Sequence, residues 1–374
     1  MSPIRTPRAI GLARAAGRLS PLYAAAAAAG LVGILVLSAR AGVFAYDFHS
    51  TIWEPGRAIL AGHGPYPTAT VADLLREKNP AVYPAPTLVV TAPIALLPAT
   101  LAGALWQLLI VGCLIAALAI VGVRDWRVFA IVLFSFPAVS SLKLGNIDAF
   151  LALGCALAWR WRNERGLRLA VCVAATVAVK LLLWPLLVWL AATGRRRQAL
   201  EAAAIAAVAT LAAWAVIGFS GFTSYPRLLS AFTDAFGAKT YSLLAAATRL
   251  SLPAPRLFPV LAALCLCGVC VRLARRGREL DALIAAVAAG ILASPILWLH
   301  YAVILMVVLA AKWPRLSPIW ALPMLFWLTP METGESVAGV LFGLALFLAL
   351  LAVGIGWRPA PNAVVGARAQ APAV

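Results

Sequence analysis

Residues 168–195 read RLAVCVAATVAVKLLLWPLLVWLAATGR, an apolar run with a basic residue at each end. Only 26 residues separate Arg168 from Arg195, and one membrane-spanning helix needs roughly 20. If both basic ends lie on the same side of a membrane, the run must turn back on itself. Lys180 and the Trp184-Pro185 step interrupt the apolar pattern near its middle and mark the apex of that turn.

Two other apolar runs have the same construction. One extends from Arg127 to Arg160 and the other from Asp281 to Lys312. Their polar interruptions are Lys143, Gly145, Asn146 and Asp148 in the first, and Ser294, Pro295, Trp298, His300 and Tyr301 in the second. Irregular backbone at membrane depth is tolerated only where protein or a water-filled cavity surrounds it. The sequence therefore predicts three short hairpins whose polar apices share one outward-facing cavity.

The composition is that of an integral membrane protein. Of its 374 residues, 63% are hydrophobic and 12% are charged, and the mean hydropathy is +0.94, which excludes an ordinary soluble domain. Apolar runs from Leu22 to Trp357 allow about ten to twelve transmembrane or half-spanning helices. We predict an all-α polytopic protein with a basic N-terminus at 1–21, a single transmembrane domain over 22–357 and a disordered tail at 358–374.

The residues behind the net charge of +18 indicate how the chain is oriented in the membrane. The basic residues form short clusters between apolar runs, which the positive-inside rule explains without any nucleic-acid partner. We expect these clusters, and with them both termini, on the cytoplasmic side. Heavy use of alanine and arginine is typical of a GC-rich bacterium, so the predicted location is a bacterial plasma membrane. The clusters are Arg5 to Arg18, Arg124 with Arg127, Arg160 to Arg168, Arg195 to Arg197, Arg272 to Arg278, Lys312 with Arg315, and Arg358 with Arg368.

Residues 41–85 form the longest polar stretch and carry as many acidic as basic side chains, four of each if Arg40 is included. The stretch lacks the cytoplasmic signature and is predicted to be a large first outer loop, and the acidic residues 329–335 are also expected outside. Asp47 directly follows the first helix. A carboxylate partly shielded from water can act as a general base, although an exposed interfacial carboxylate is the simpler alternative.

Short motifs occur in an order that resembles a known family. They are Asp47 with Trp53, Gly62 and Tyr66; Tyr83-Pro84-Ala85-Pro86 with Pro93 and Pro98; Lys180 before a basic triplet; and Ser294-Pro295 before Trp298-Leu299-His300-Tyr301. The chain resembles the polyprenyl-phosphate-sugar-dependent membrane glycosyltransferases of the GT-C superfamily, specifically glycosyltransferase family 87, whose members include bacterial mannosyltransferases. It departs from the pattern at Gly145-Asn146-Ile147-Asp148, where Gly-Gln-x-Asn is usual, and at Thr240-Tyr241-Ser242, where Asn-x-Ser is usual.

The resemblance implies transfer of a sugar, expected to be mannose, from a polyprenyl phosphate to a glycolipid or polysaccharide on the outer face. Inversion at the sugar carbon and the absence of any nucleotide or metal cofactor are part of that implication. Asp47 would accept the acceptor proton, and Lys180 and His300 would stabilise the departing phosphate. An arabinofuranosyl donor, a lipid or solute transporter, and a non-catalytic scaffold are the alternatives.

The remaining candidates have both a functional and a structural interpretation. A lysine at the bilayer centre costs roughly 2.5 to 3.5 kcal/mol, which favours a role for Lys180, but its side chain could also snorkel to the interface. His300 could be a hydrogen-bonded core histidine. Asn146 and Asp148 could each contact substrate or cap a turn. The aromatic candidates Tyr66, Tyr83, Trp298 and Tyr301 could stack on sugar rings or belong to an interfacial belt.

Overall fold

The computed structural model describes residues 44–66, 80–164, 166–329 and 336–356, together with residues 70, 74 and 334. The chain comprises two compact units, Met1–Phe44 and Ala45–Val374, and the described residues from Ala45 onward belong to the second. The predicted basic N-terminus at 1–21, most of the first helix, the middle of the loop at 41–85 and the tail at 358–374 lie outside the described residues. In the described part every regular element is helical, which confirms the all-α prediction.

The α-helices of this part are numbered in chain order. They are α1 Tyr46–Phe48, α2 Glu54–Leu60, α3 Ala85–Thr91, α4 Ala99–Ile120, α5 Trp126–Phe134, α6 Phe136–Leu144, α7 Asp148–Trp161, α8 Leu167–Val179, α9 Pro185–Ala192, α10 Arg196–Val216, α11 Tyr225–Phe236, α12 Leu243–Arg249, α13 Leu257–Arg275, α14 Glu279–Ala293, α15 Ala302–Ala310, α16 Leu322–Leu325 and α17 Val337–Gly356. A π-helical turn at His49–Trp53 joins α1 to α2. Tighter 3-10 turns lie at Ala92–Leu96, Leu181–Leu183, Gly237–Lys239, Leu299–Tyr301, Pro318–Ala321 and Phe326–Leu328.

Four helices of the described part, α4, α10, α13 and α17, are long and apolar enough to cross a membrane. The pair α5 and α6 would make a fifth span, bent by 59° at Ser135. Pro137 in the first turn of α6 cannot donate a backbone hydrogen bond, which explains the break. The structure therefore supports a membrane protein, and the larger count of ten to twelve segments is not confirmed.

The hairpin predicted between Arg168 and Arg195 is confirmed. The Arg195 guanidinium lies 3.3 Å from Asn163 Oδ1, and Gln198 Nε2 donates to the Gly166 carbonyl at 3.2 Å. Residues that precede α8 therefore contact residues that follow α9, so the run between them turns back. Lys180 adopts an extended conformation between the two helices, which places the turn at the predicted apex.

The hairpin predicted between Asp281 and Lys312 is also confirmed, because its two ends form an ion pair. Lys312 Nζ lies 2.7 Å from Asp281 Oδ1 and also donates to the Gly354 carbonyl at 2.7 Å. The returning helix α15 is buried at every position from Ala302 to Ala310. A helix that is apolar all round belongs in a protein interior or in lipid, and α15 lies in the interior of this bundle.

A charged layer joins the ends of the hairpins; its members are Arg162, Arg195, Arg278, Glu279, Asp281 and Lys312. Glu279 pairs with Arg195 at 3.1 Å, and Asp281 accepts from Arg278 at 2.6 Å. Nearby, Asp125 accepts the Leu316 backbone N–H at 3.0 Å, and hydrogen bonding from Arg127 lowers the pKa of Asp125 to about 2. The basic residues of this layer and Arg127 come from clusters that are predicted to be cytoplasmic. They therefore lie together on one face of the bundle.

Candidate active site

Polar interruptions of all three apolar runs meet at one buried carboxylate, Asp148. Asp148 Oδ1 lies 3.2 Å from Lys180 Nζ, and Asp148 Oδ2 lies 2.5 Å from His300 Nδ1. Asp148 begins α7, Lys180 lies between α8 and α9, and His300 lies in the turn before α15. We call these three residues the apex cluster. A buried charge is stable only when it is paired and hydrogen-bonded, so the cluster explains how each charge is accommodated.

The chain positions Asp148 through the turn that precedes it. Gly145 ends α6 with φ of 77°, in the left-handed region that glycine adopts readily. A Cβ at this position would also lie 2.9 Å from Phe48 Cβ. Asn146 Oδ1 then accepts from Ser141 Oγ at 2.7 Å and from the Asp148 backbone N–H at 3.1 Å. Asn146 is therefore a buried cap of the turn, and it is not among the cavity-lining residues.

A cavity of about 370 Å³ lies beside the apex cluster. It brings together six of the side chains predicted from the sequence: Asp47, Tyr83, Lys180, Trp298, His300 and Tyr301. The cavity is lined by the predicted apices of two hairpins, those of the 168–195 and 281–312 runs, whereas the polar interruptions of the 127–160 run do not line it. Its remaining lining includes Thr51, Tyr225 and Ser294, together with apolar side chains such as Leu181, Trp184 and Leu229.

Asp47 reaches the cavity from a fixed turn. Ala45, two residues before Asp47, has φ of 54°, a left-handed conformation that costs a non-glycine residue about 1 to 2 kcal/mol. The Ala45 N–H donates to the Lys143 carbonyl at 2.7 Å, and Thr51 Oγ1 donates to the Asp47 carbonyl at 2.5 Å. Backbone strain that surrounding contacts maintain is common at functional sites, and here it precedes the candidate base.

Lys180 is held on two sides and faces the cavity on a third. Its ammonium pairs with Asp148 and lies 4.0 Å from the centroid of the Tyr301 ring and 5.8 Å from that of Tyr83. Such cation–π contacts stabilise a partly desolvated ammonium. The side chain is 16% exposed, so this Lys180 is anchored at the apex instead of snorkelling. An ammonium has three donors, which leaves donors for a ligand.

Tyr66 acts at a distance from the cavity. Its ring stacks on Trp214 with the centroids 5.3 Å apart, and its hydroxyl donates to the Tyr83 carbonyl at 2.9 Å. Burial raises the pKa of Tyr66, which keeps the phenol protonated as a donor. Tyr225 donates in the same way to the Val82 carbonyl at 2.9 Å. Together the two phenols hold the segment that presents Tyr83, and the importance of Tyr225 was not predicted from the sequence.

Asp148 is the main residue that sequence reasoning left without a definite role. The sequence assigns it only to substrate contact or turn capping, although it is the sole acidic residue between Asp125 and Glu164. Its isolation in an apolar hairpin was the available signal. The described residues contain no group of three or more histidine, cysteine, aspartate or glutamate side chains arranged to hold a metal ion.

Comparison with known proteins gives one match. A family model described as glycosyltransferase family 87 matches residues 81–297, which is more than half of the chain. The matched range includes Tyr83, Asp148 and Lys180, whereas Asp47 and His300 lie outside it. No curated protein and no solved structure matches the chain.

Proposed function

Because the chain belongs to glycosyltransferase family 87, we propose that it transfers mannose from a polyprenyl phosphate to a glycolipid or polysaccharide acceptor. Family membership makes the chain a membrane glycosyltransferase, and the donor, acceptor and mechanism are the content of the proposal. One observation carries it: a carboxylate, Asp47, shares a cavity with an ammonium, Lys180, and an imidazole, His300. These are the groups that transfer from a phosphate leaving group requires.

In the proposed reaction the acceptor oxygen attacks the sugar carbon from the face opposite the phosphate. Asp47 takes the proton of the acceptor hydroxyl as the new carbon–oxygen bond forms. The bond between the sugar and the phosphate oxygen breaks, and its electron pair leaves with the polyprenyl phosphate. Hydrogen bonds from the Lys180 ammonium and from Nε2–H of His300, as an imidazolium whose Nδ1–H is held by Asp148, stabilise the charge that develops there. The configuration at the sugar carbon inverts, and neither a metal ion nor a nucleotide takes part.

The cavity wall supports a lipid-linked donor. Leu181 and Trp184 line the cavity and are 58% and 40% exposed, and Leu229 on α11 is 37% exposed. An apolar rim of this kind offers a membrane-embedded polyprenyl chain a continuous path to the apex cluster. Within the cavity we assign Tyr83, Trp298 and Tyr301 to the sugar. Asn146 and Tyr66 are assigned to holding the site, in place of the direct substrate contact expected from the sequence.

The proposed location is the plasma membrane, with the cavity on the extracytoplasmic side and both termini in the cytoplasm. The cavity lies at the hairpin apices, and the charged layer lies at the opposite ends of the same hairpins. Basic residues are retained on the cytoplasmic side. The orientation of the charged layer therefore supports a cavity that opens outward.

The test is transfer of radiolabelled sugar by purified protein in detergent or lipid, with several polyprenyl-phosphate sugars as donors. We expect Asp47→Asn to lower turnover by on the order of 10² to 10⁴, the usual contribution of a general base, with unchanged thermal stability. Glu54→Gln, an exposed carboxylate on the next helix, serves as the matched control and should retain wild-type turnover. Full turnover by Asp47→Asn would contradict the assignment of Asp47 as the general base.

The same donor panel separates the alternatives. Transfer from the arabinofuranosyl donor in place of the mannosyl donor would change the substrate and keep the mechanism. Movement of labelled lipid across vesicles without any transfer would indicate a transporter, which membership in a glycosyltransferase family disfavours.

A further inference from the structure

The apex cluster contains one acceptor group for two donors. Asp148 is fully buried, and each of its oxygen atoms contacts one nitrogen, Lys180 Nζ on Oδ1 and His300 Nδ1 on Oδ2. Only a carboxylate offers two equivalent acceptor oxygens; an amide of the same shape offers one and replaces the other with a donor. The identity of Asp148 therefore matters to both of its partners.

The contact with Asp148 fixes which nitrogen of His300 is available. An ionised carboxylate accepts and cannot donate, so the Nδ1 atom of His300 carries the hydrogen in the 2.5 Å contact. The second ring nitrogen, Nε2, lies on the other edge of the ring, and His300 lines the cavity. A carboxylate that orients a functional imidazole through Nδ1 is a well-established arrangement.

We propose that Asp148 is a positioning residue of the transfer reaction, which holds Lys180 and His300 so that the remaining ammonium hydrogens of Lys180 and the Nε2 atom of His300 face the donor phosphate. The identity of that ligand rests on the proposed function. Asp148 itself contacts no substrate, because it is buried behind its two partners. Its charge also offsets that of Lys180 before a phosphate binds, which lowers the desolvation cost of the lysine.

The first experiment observes His300 directly and needs no substrate. The chain has three histidines, so protein labelled with ¹⁵N in its imidazole rings gives three sets of signals, and His300→Gln identifies the relevant one. We expect the neutral His300 ring of the wild type to carry its hydrogen on Nδ1. Addition of a polyprenyl monophosphate without a sugar should give His300 a second hydrogen, on Nε2, which it donates to the phosphate, and should leave the first hydrogen on Nδ1.

The second experiment measures turnover. In Asp148→Asn, the Lys180 ammonium and the His300 N–H compete for a single amide oxygen. We expect kcat to fall by on the order of 10² to 10⁴, the range seen when a carboxylate that orients an imidazole is lost, with a smaller change in KM. Asp234→Asn, an exposed carboxylate paired with Arg256, is the control and should keep wild-type kcat and KM.

A further variant covers the case in which Asp148→Asn fails to fold because Lys180 is left unpaired. Asp148→Asn combined with Lys180→Met removes both charges, and the amide oxygen is then free to accept from His300 Nδ1. We expect this double variant to fold and its neutral His300 ring to carry the hydrogen on Nδ1, as in the wild type. Turnover should stay low because Lys180 is absent.

Two results would overturn the positioning role. One is a neutral wild-type His300 that carries its hydrogen on Nε2, and the other is a folded Asp148→Asn variant with wild-type kcat. If the wild type transfers sugar from none of the polyprenyl-phosphate donors, the proposed function fails instead. The imidazole spectra then still decide whether Asp148 holds His300.

Discussion

Gly290 offers a sharp test of how the Lys180 turn is built. It lies in α14, lines the cavity and faces the backbone of the turn that follows Lys180. A Cβ placed on Gly290 would lie 2.1 Å from the Leu182 carbonyl oxygen, and real Cβ atoms essentially never approach closer than 3.0 Å. The overlap is therefore about 3.0 − 2.1 = 0.9 Å. It involves backbone atoms, which cannot rotate away as a side chain can.

The sign of the effect separates this contact from ordinary helix propensity. Replacing glycine by alanine inside a helix normally gains about 1 kcal/mol, whereas overpacking of a tight contact costs about 1 to 3 kcal/mol. We expect Gly290→Ala to be destabilising. Relief of the overlap must move Leu182 and, with it, Lys180 two residues earlier. A displacement of about 1 Å at a site can lower turnover by on the order of 10².

The matched control is Gly112→Ala in α4, where no atom lies within 4 Å of the added Cβ. Both variants are compared with the wild type for apparent Tm and for kcat in the transfer assay. We expect a lower Tm and kcat for Gly290→Ala and unchanged or higher stability for Gly112→Ala. A Gly290→Ala protein as stable and as active as the Gly112→Ala control would show that α14 does not fix the turn.

The remaining predictions concern the charged layer and the orientation of the chain. Asp281→Asn breaks a largely buried pair with Lys312 and should cost about 3 to 5 kcal/mol; in thermal unfolding, the exposed control Asp234→Asn should change stability by less than about 1 kcal/mol. Reporter fusions at Gly64 and Arg196 should report the extracytoplasmic and cytoplasmic sides respectively, and a cytoplasmic Gly64 would reverse the proposed orientation.

The hairpins could be predicted because the positions of basic residues along the chain indicate membrane topology. Arg168 and Arg195 lie too close in sequence for two full spans, and Asp281 and Lys312 repeat the pattern. Basic residues stay on one side of a membrane, so short separations require a turn. The contacts of Arg195 with Asn163 and of Lys312 with Asp281 confirm that reasoning.

The number of spans could not be predicted in the same way. Hydropathy gives the length of an apolar run, and a run of about 25 residues suits one tilted span or two half-length helices equally. The bend between α5 and α6 and the short helices α8 and α9 are set by Pro137 and by the Lys180 turn together with tertiary packing. A count derived from hydropathy alone treats such broken segments as spans.

The site was partly predictable because isolated charges in apolar surroundings are costly. The cost of burying Lys180 was sufficient to select it, and the structure places it on the cavity with His300. The positions of Tyr66 and Asn146 behind the cavity were not predictable. Both residues act on their neighbours through hydrogen bonds that depend on which helices are adjacent, and the sequence pattern carries no such information.

The cost of an unpaired charge in apolar surroundings also points to the partner of Lys180. An unpaired lysine and an unpaired aspartate at membrane depth are each expensive, and a pair in contact is far less so. Asp148 and Lys180 lie at the apices of neighbouring hairpins, and Asp281 and Lys312 lie at the two ends of one hairpin. In both cases the acidic residue is the nearest compensating charge in the fold. Apolar hairpins that carry opposite charges should therefore be predicted to meet at those charges, which here identifies Asp148 as the residue that joins Lys180 to His300.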